Sequence, residues 1–427
     1  MCRTLFAFVV LMILPALTLA QAEVSRKDGD AEPITFGADD WPFWRGPNRN
    51  GVASAKQKPP LKWSDTENIV WRTPIPGRGH GSPIVVGDQV FLATADHKEE
   101  TQSVLCYHRK TGKLLWQTVV HRGGLAKGGN DKSSLASSTL ACDGQRVFAN
   151  FFNDKAIYAT ALNRDGKQLW QTKVTDYVLH QGFASSPTVY QSLVIVAADN
   201  KGKGVIAALE RATGNFVWKS ERPKMPNYAS PIILKADGRD QLFFIGCETV
   251  TSFDPLTGKK FWEMKGSTTE CVTSTVTDGE LIITSGGFPK NHVAAVRADG
   301  TGKTVWEIGA KVYVPSMLHH RGYLYAVQDD GVPMCWKFDT GKVVWKGRLG
   351  GQFSASPVLV GEHIYATNES GRTFIFKASP EAFELVAENQ LGNNVLATPT
   401  ICGGRIYLRA ATAEKGQRHE ILYCIGE

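Results

Sequence analysis

Apolar and polar positions along this chain fall into short runs, and the runs recur as a set. Each set opens on a small residue, often followed by proline, and a brief apolar run: Ser82-Pro83-Ile-Val-Val, Ser138-Thr-Leu, Ser186-Pro187-Thr-Val, Ser230-Pro231-Ile-Ile, Ser274-Thr-Val, Ser316-Met-Leu, Ser356-Pro357-Val-Leu and Thr398-Pro399-Thr-Ile. A turn and a second run follow, such as Gln89-Val-Phe-Leu or His363-Ile-Tyr-Ala, then a third run and a polar corner. Short apolar runs bounded by turn formers predict β-strands, four to a set, and no stretch carries a helical period. The set closes on a fixed phrase: Gly112-Lys-Leu-Leu-Trp116, Gly166-Lys-Gln-Leu-Trp170, Gly214-Asn-Phe-Val-Trp218, Gly258-Lys-Lys-Phe-Trp262, Gly302-Lys-Thr-Val-Trp306 and Gly341-Lys-Val-Val-Trp345. Glycine takes the positive φ of a tight corner. The β-formers behind it predict a strand whose Trp shares a face with the residue two before it.

From Trp116 to Trp345 the closing Trp recurs at a mean interval of about 46 residues, the spacing of a propeller or solenoid array. The separation of opening residue and closing Trp is nearly constant, from Ser82 and Trp116 in the first set to Ser316 and Trp345 in the sixth. The seventh set has no Trp; Phe383-Glu-Leu-Val386 stands at nearly that separation from Ser356. The eighth stops at Glu427, as far beyond Thr398 as Trp345 lies beyond Ser316, where its closing Trp belongs. The missing strand is at the other end, where Ile69-Val70-Trp71 matches Val343-Val344-Trp345. These patterns predict an all-β chain, an eight-bladed β-propeller of four-stranded antiparallel blades. An N-terminal strand completes the last blade and closes the ring without leaving a sheet edge.

Residues 1–22 read as an export signal: Arg3, an apolar run from Leu5 to Leu19, and Ala20-Gln21-Ala22 as the cleavage site. A periplasmic or secreted protein is therefore expected, with a retained N-terminal anchor as the alternative. The apolar run is short for a bilayer span, so the mature chain is expected to have none. Residues 23–62 form a lead-in, first a polar tether and then the aromatic Trp41-Pro-Phe-Trp44-Arg-Gly-Pro, expected to pack on the body; the propeller occupies 63–427. The net charge of +7 is scattered over the repeat turns, without the basic stripe that nucleic acid requires. A monomer is expected. Seven of the eight cysteines follow the signal, with no Cys-x-x-Cys, and recur at small apolar strand positions, which predicts mostly free, buried thiols.

The Thr-Gly-Lys-x-x-Trp phrase, behind a strand opened by Ser-Pro, resembles the pyrroloquinoline-quinone (PQQ) repeat family of eight-bladed propellers, over residues 63–427. That family includes quinoprotein dehydrogenases and a BamB-like branch of envelope proteins. The resemblance implies fold more firmly than function. Quinoprotein dehydrogenases are similar to one another in a vicinal Cys-Cys pair beside the quinone, acidic and amide ligands to calcium, and an Asp base. This chain has no Cys-Cys and no Cys-x-x-Cys-His. The expectation is an exported non-catalytic propeller that binds envelope proteins or a small ligand, with no cofactor. The alternative is a dehydrogenase using PQQ with calcium.

Loops leading from each closing strand to the next opening strand converge near the axis. They carry Arg78, His80, Lys132, His180, Gln181, Asn227, Tyr228, Glu270, Tyr313, Gln352 and Asn394, the candidate residues of a ligand mouth. Other motifs read as architecture. Gly123 to Ser133 is expected to be a mobile inter-blade insertion, because a phosphate loop needs Lys directly after its second Gly and a helix behind. Asp329-Asp330 is expected in a solvated hairpin turn. His319-His320 is expected in a surface turn, with no zinc-ligand spacing around it.

Overall fold

The computed structural model describes residues 33–427, so the expected export signal lies outside the described residues. The described chain forms eight blades, each of four strands joined in antiparallel order, and Val52–Ala53 adds a fifth, parallel strand to the seventh. Blades 1 to 7 span residues 84–122, 141–176, 188–222, 232–265, 276–308, 318–346 and 358–390. Blade 8 takes three strands from residues 400–425 and its outermost from Ile69–Ile75. That closing strand is antiparallel to Gln417–Ile425, with Trp71 opposite Cys424 and Ile75 opposite Glu420. Both ends of the propeller thus meet in one sheet, and the ring is closed.

The recurring phrase explains how one blade holds the next. Each closing Trp donates its indole N–H to a corner carbonyl of the following blade. Trp71 reaches Arg109, Trp116 reaches Arg164, Trp170 reaches Arg211 and Trp218 reaches Pro255; Trp262, Trp306 and Trp345 reach Ala298, Phe338 and Ser379. The glycine of the corner lies under that indole. A Cβ on Gly258 would stand 2.5 Å from the Trp218 ring, and φ there is +69°. The corner is therefore glycine on two counts: the left-handed backbone and the ring lying on it. In blade 5 the role moves from Gly302 to Gly300, whose Cβ would meet Trp262 at 2.9 Å.

Two expectations are corrected by the strand register. A β-bulge lies just ahead of the Trp position in all eight blades. Gln168 faces Leu162 while Trp170 faces its neighbour Ala161, so the Trp turns to the face opposite the residue two before it, because two residues share one partner. The same register places Ala387, opposite Ile375, at the Trp position of blade 7, one residue past Val386. The residue just past the lead-in packs in the same cluster as this alanine. Trp63 is 4% exposed and belongs to the apolar cluster that runs through blades 7, 8 and 1. Asn389 clamps it, accepting from the Trp63 amide and donating to the Leu61 carbonyl.

The first strands of the blades surround the axis, and their opening hydroxyls form a belt. Backbone N–H groups donate around the ring from Ser82 to Thr139, Thr139 to Ser186, and Ser186 to Ser230. The belt continues from Ser274 to Ser316, Ser316 to Ser356, Ser356 to Thr398, and Thr398 back to Ser82. In blade 2 the belt residue is Thr139, and Ser138 points its hydroxyl to the Ser185 carbonyl. Between blades 4 and 5 the lead-in takes over, and the Trp44 indole donates to Ser274. The lead-in crosses this end of the axis: Trp41 bridges Val85, Arg45 reaches the Met317 carbonyl, Arg49 the Val189 carbonyl, and Val52–Ala53 runs parallel to blade 7.

Candidate functional site

A cavity of about 550 Å³ lies on the axis, with Trp44 among its lining residues and the Ser/Thr belt around it. Six of the sequence candidates line it: His80, Lys132, Gln181, Tyr228, Glu270 and Tyr313. Between them stand apolar side chains that the sequence reading did not single out, Phe183, Val272, Phe288, Val314 and Leu396. Phe288 keeps over half of its surface exposed.

Glu270, in the loop entering blade 5, is 6% exposed. One carboxylate oxygen accepts from the Tyr313 hydroxyl at 3.0 Å, and the other lies 3.4 Å from His180 Nδ1. His180 Nδ1 is also 3.0 Å from the Tyr228 hydroxyl. Burial and the nearby carboxylate push both phenols up, so Tyr228 and Tyr313 remain O–H donors at neutral pH. Two features place Tyr313. Gly287 leaves room for its ring, since a Cβ there would stand 2.3 Å away. Asp329 accepts from the Tyr313 and Val314 amides at 2.7 and 3.1 Å. Asp329 is thus a buried strut, 9% exposed, and not a member of a solvated turn; Asp330 beside it is exposed. Burial raises the Asp329 carboxyl above its usual range.

His80 enters half-way round the ring, on the loop into blade 1. Its ring hydrogen-bonds the Lys132 carbonyl, while Nε2 is buried without a partner among the described residues. Burial, followed by the fields of Arg78, Arg409 and Arg418, holds its pKa well below the usual value. The imidazole is therefore neutral, with Nδ1–H engaged and Nε2 left as an acceptor.

The insertion between blades 1 and 2 lies over the cavity as a strap. Asn130 pairs with Gln181 through backbone and side chain. Lys132 reaches across to Glu369 of blade 7 at 2.8 Å, and Ser354 also donates to that carboxylate. The remaining candidates do other work. Asn227 is buried and ties Asp199, the Ile245 carbonyl and the Cys271 amide together. Gln352 accepts from the Glu369 amide, and Asn394 accepts from Arg418. Arg78 lines a separate cleft. His319 and His320 end a strand, not a turn, and His319 stacks on Phe338 with ring centroids 4.2 Å apart.

The seven cysteines among the described residues are free and buried. Burial pushes the Cys142 and Cys402 thiols up to about 12, which removes them as nucleophiles. No group of three His, Cys, Asp or Glu side chains suited to a metal ion occurs among the described residues. No described helix is long and apolar enough to cross a membrane.

The model of a family described as outer membrane protein assembly factor BamB, built on PQQ repeats, matches residues 46–177, 100–287 and 289–379. The chain belongs to this family. BamB of Burkholderia pseudomallei is 25% identical over 360 residues, covering 77% of this chain and 84% of that protein. A polyvinylalcohol dehydrogenase of Sphingopyxis is 27% identical over 205 residues, covering 44% of this chain and 29% of the dehydrogenase. The chain therefore spans under a third of that enzyme's length. Among solved structures, BamB of Moraxella catarrhalis superposes with a TM-score of 0.60 at 14% identity, covering 83% of this chain and 96% of that one. That likeness speaks for the fold alone. The chain is thus similar both to proteins named for outer membrane protein assembly and, over a shorter stretch, to one named as a dehydrogenase.

Proposed function

We propose that this chain is an exported, non-catalytic propeller of the cell envelope, a binding scaffold that receives a small ligand or a partner's side chain in its axial cavity. The observation that carries this reading is the make-up of the cavity. It has aromatic walls, two buried hydrogen-bond acceptors (His80 and Glu270) on opposite sides, and phenols held protonated beside Glu270. Such a surface offers shape, flat apolar contact and a few directed hydrogen bonds, as ligand sites do. The BamB-named relative supports an envelope location and protein partners.

The dehydrogenase-named relative favours a second reading, with PQQ and calcium as cofactors. The donor set does not fit that pair. A polycarboxylate quinone calls for cations, yet Lys132 is committed to Glu369, His80 is held neutral, and Glu270 adds a buried acid. Calcium calls for several oxygen ligands, and among the described residues Glu270 is the one carboxylate lining the cavity.

Calorimetry with PQQ plus calcium, a panel of sugars and envelope extract fractions tests the proposal, beside a dye-linked alcohol oxidation assay. The expected outcome is no oxidation, with binding of one class of ligand or partner weakened about tenfold or more by Phe288→Ala and by Glu270→Gln. Alcohol oxidation after reconstitution with PQQ and calcium would overturn it.

A further inference from the structure

A second cleft, of about 390 Å³, opens between blades 8 and 1, beside the axial cavity and lined by different residues. Its walls are the end of the closing strand (Pro74, Ile75), the turn after Ala95, and the strand bearing Arg418, His419 and Glu420. The segment that separates it from the axis reads Gly77-Arg78-Gly79-His80-Gly81. Its three glycines are dictated by crowding. Added Cβ atoms would stand 2.4 Å from the Ala95 carbonyl oxygen, 2.5 Å from the Arg409 guanidinium, and 2.5 Å from the Ser138 carbonyl oxygen. A backbone pressed this tightly between neighbours presents its two side chains to separate spaces: His80 lines the axial cavity and Arg78 the cleft.

The charges around the cleft do not balance. Glu420 is 3% exposed and is already claimed twice, by Arg409 at 2.6 Å and by Arg418 at 3.0 Å. It also accepts weakly from the Gly79 amide. Arg409 is buried and also donates to the Ala93 carbonyl. Arg78 has no carboxylate partner among the described residues. One of its Nη groups donates to the Asp131 carbonyl at 3.1 Å, and its Nε–H is buried and unpartnered. Two guanidinium groups therefore share one carboxylate, and a third, Arg78, stands beside them without one. Burial and repulsion from Arg418 lower the Arg78 pKa, only partly offset by Glu420 and Asp131. An arginine with free planar donors beside a second arginine is the arrangement that recognises oxyanions.

We propose that this cleft is an anion-binding site that takes a compact oxyanion of the sulfate or phosphate class, with Arg78 and Arg418 as its ligands and His97 and His419 at its rim. The site is independent of the axial one, and its own buried carboxylate, Glu420, is already paired with Arg409 and Arg418. An anion here would neutralise the arginine cluster at the seam where the ring closes.

The test is isothermal titration of inorganic sulfate, inorganic phosphate and glycerol 3-phosphate into the purified protein, with ionic strength held constant by sodium chloride. The first two probe a free ion, and the third probes the end group of a larger ligand. The expected result is saturable one-to-one binding, weakened at least tenfold in Arg78→Gln and partly retained in Arg78→Lys. Lys113→Gln, an exposed repeat-turn lysine, removes the same charge and is expected to leave binding unchanged. Arg418→Gln is read the same way only if its melting temperature without anion matches the wild type. Absence of saturable binding above the chloride background would overturn the proposal, as would equal weakening by Arg78→Gln and Lys113→Gln.

Discussion

A single indole carries two separable contributions at each of seven seams, and the seam without a repeat Trp allows them to be measured apart. Trp218 fills space and donates to the Pro255 carbonyl at 3.1 Å. Trp218→Ala is expected to cost about 3–5 kcal/mol in urea unfolding, the usual range for large aromatic deletions. Trp218→Phe keeps most of the volume and strands the carbonyl, so about 1–2 kcal/mol is expected. Trp63 fills the seventh seam with its indole nitrogen buried and unpartnered. Trp63→Phe is therefore expected to cost less than Trp218→Phe, and the opposite order would show that Trp63 is not a stand-in for the absent repeat Trp. Titration offers a second test at this scale. Burial lowers the His121 pKa from 6.5 to about 4, and burial together with nearby arginines lowers that of His80. For a depressed pKa the stability is fully present above the unfolded value and is lost as pH falls toward the folded one. Stability is thus expected to decline below about pH 6.5, and His121→Phe is expected to flatten that decline by up to about one proton's slope, about 1.4 kcal/mol per pH unit. An unchanged slope would place the acid sensitivity elsewhere.

Elements that repeat are legible in the sequence; elements that occur once are not. The strand sets, the corner glycines and the displaced Trp71 strand all announce themselves by recurrence, and the closing pairing of Trp71 with Cys424 follows from counting. The bulge ahead of each Trp leaves no such trace, because it changes register without changing residue type, and so the pattern alone puts the Trp on the wrong face. The lead-in is the larger loss. Trp44 meets Ser274 across 230 residues, and Trp63 meets Asn389 across 326; nothing in either local sequence names its partner. Asp329 is hidden for a related reason. Its carboxylate faces two amides 15 and 16 residues back, a strut that an Asp-Asp turn does not advertise. Of the loop residues expected at the mouth, His80, Lys132, Gln181, Tyr228, Glu270 and Tyr313 line the cavity, and distance from the opening strand does not separate them from the rest. Asn227 is drawn into the core by Asp199, and Gln352 and Asn394 serve to brace Glu369 and Arg418.

At the scale of the whole molecule, the first part of the described chain does three jobs that the repeats leave undone. Its closing strand completes blade 8, Trp63 fills the seventh seam, and Trp44 closes the gap in the axial belt. A ring whose blades touch mainly their neighbours is only as stable as its weakest junction, and here two junctions and the axial belt depend on one segment. Deleting residues 1–72 removes Trp44, Trp63 and the first half of the closing strand, and bares the Tyr423–Ile425 end of its partner strand as an unpaired edge, a template for pairing with other chains. The truncated protein is expected to form oligomers or aggregates by light scattering, and to melt at least about 10 °C lower in whatever monomer survives. A synthetic segment spanning residues 60–78, supplied in trans, is expected to restore part of the monomer by re-forming the Trp71–Cys424 pairing and filling the seam with Trp63. A truncation that stays monomeric with an unchanged melting temperature would mean that the seven remaining blades hold the ring without its clasp, and that the lead-in serves the cavity instead of the fold.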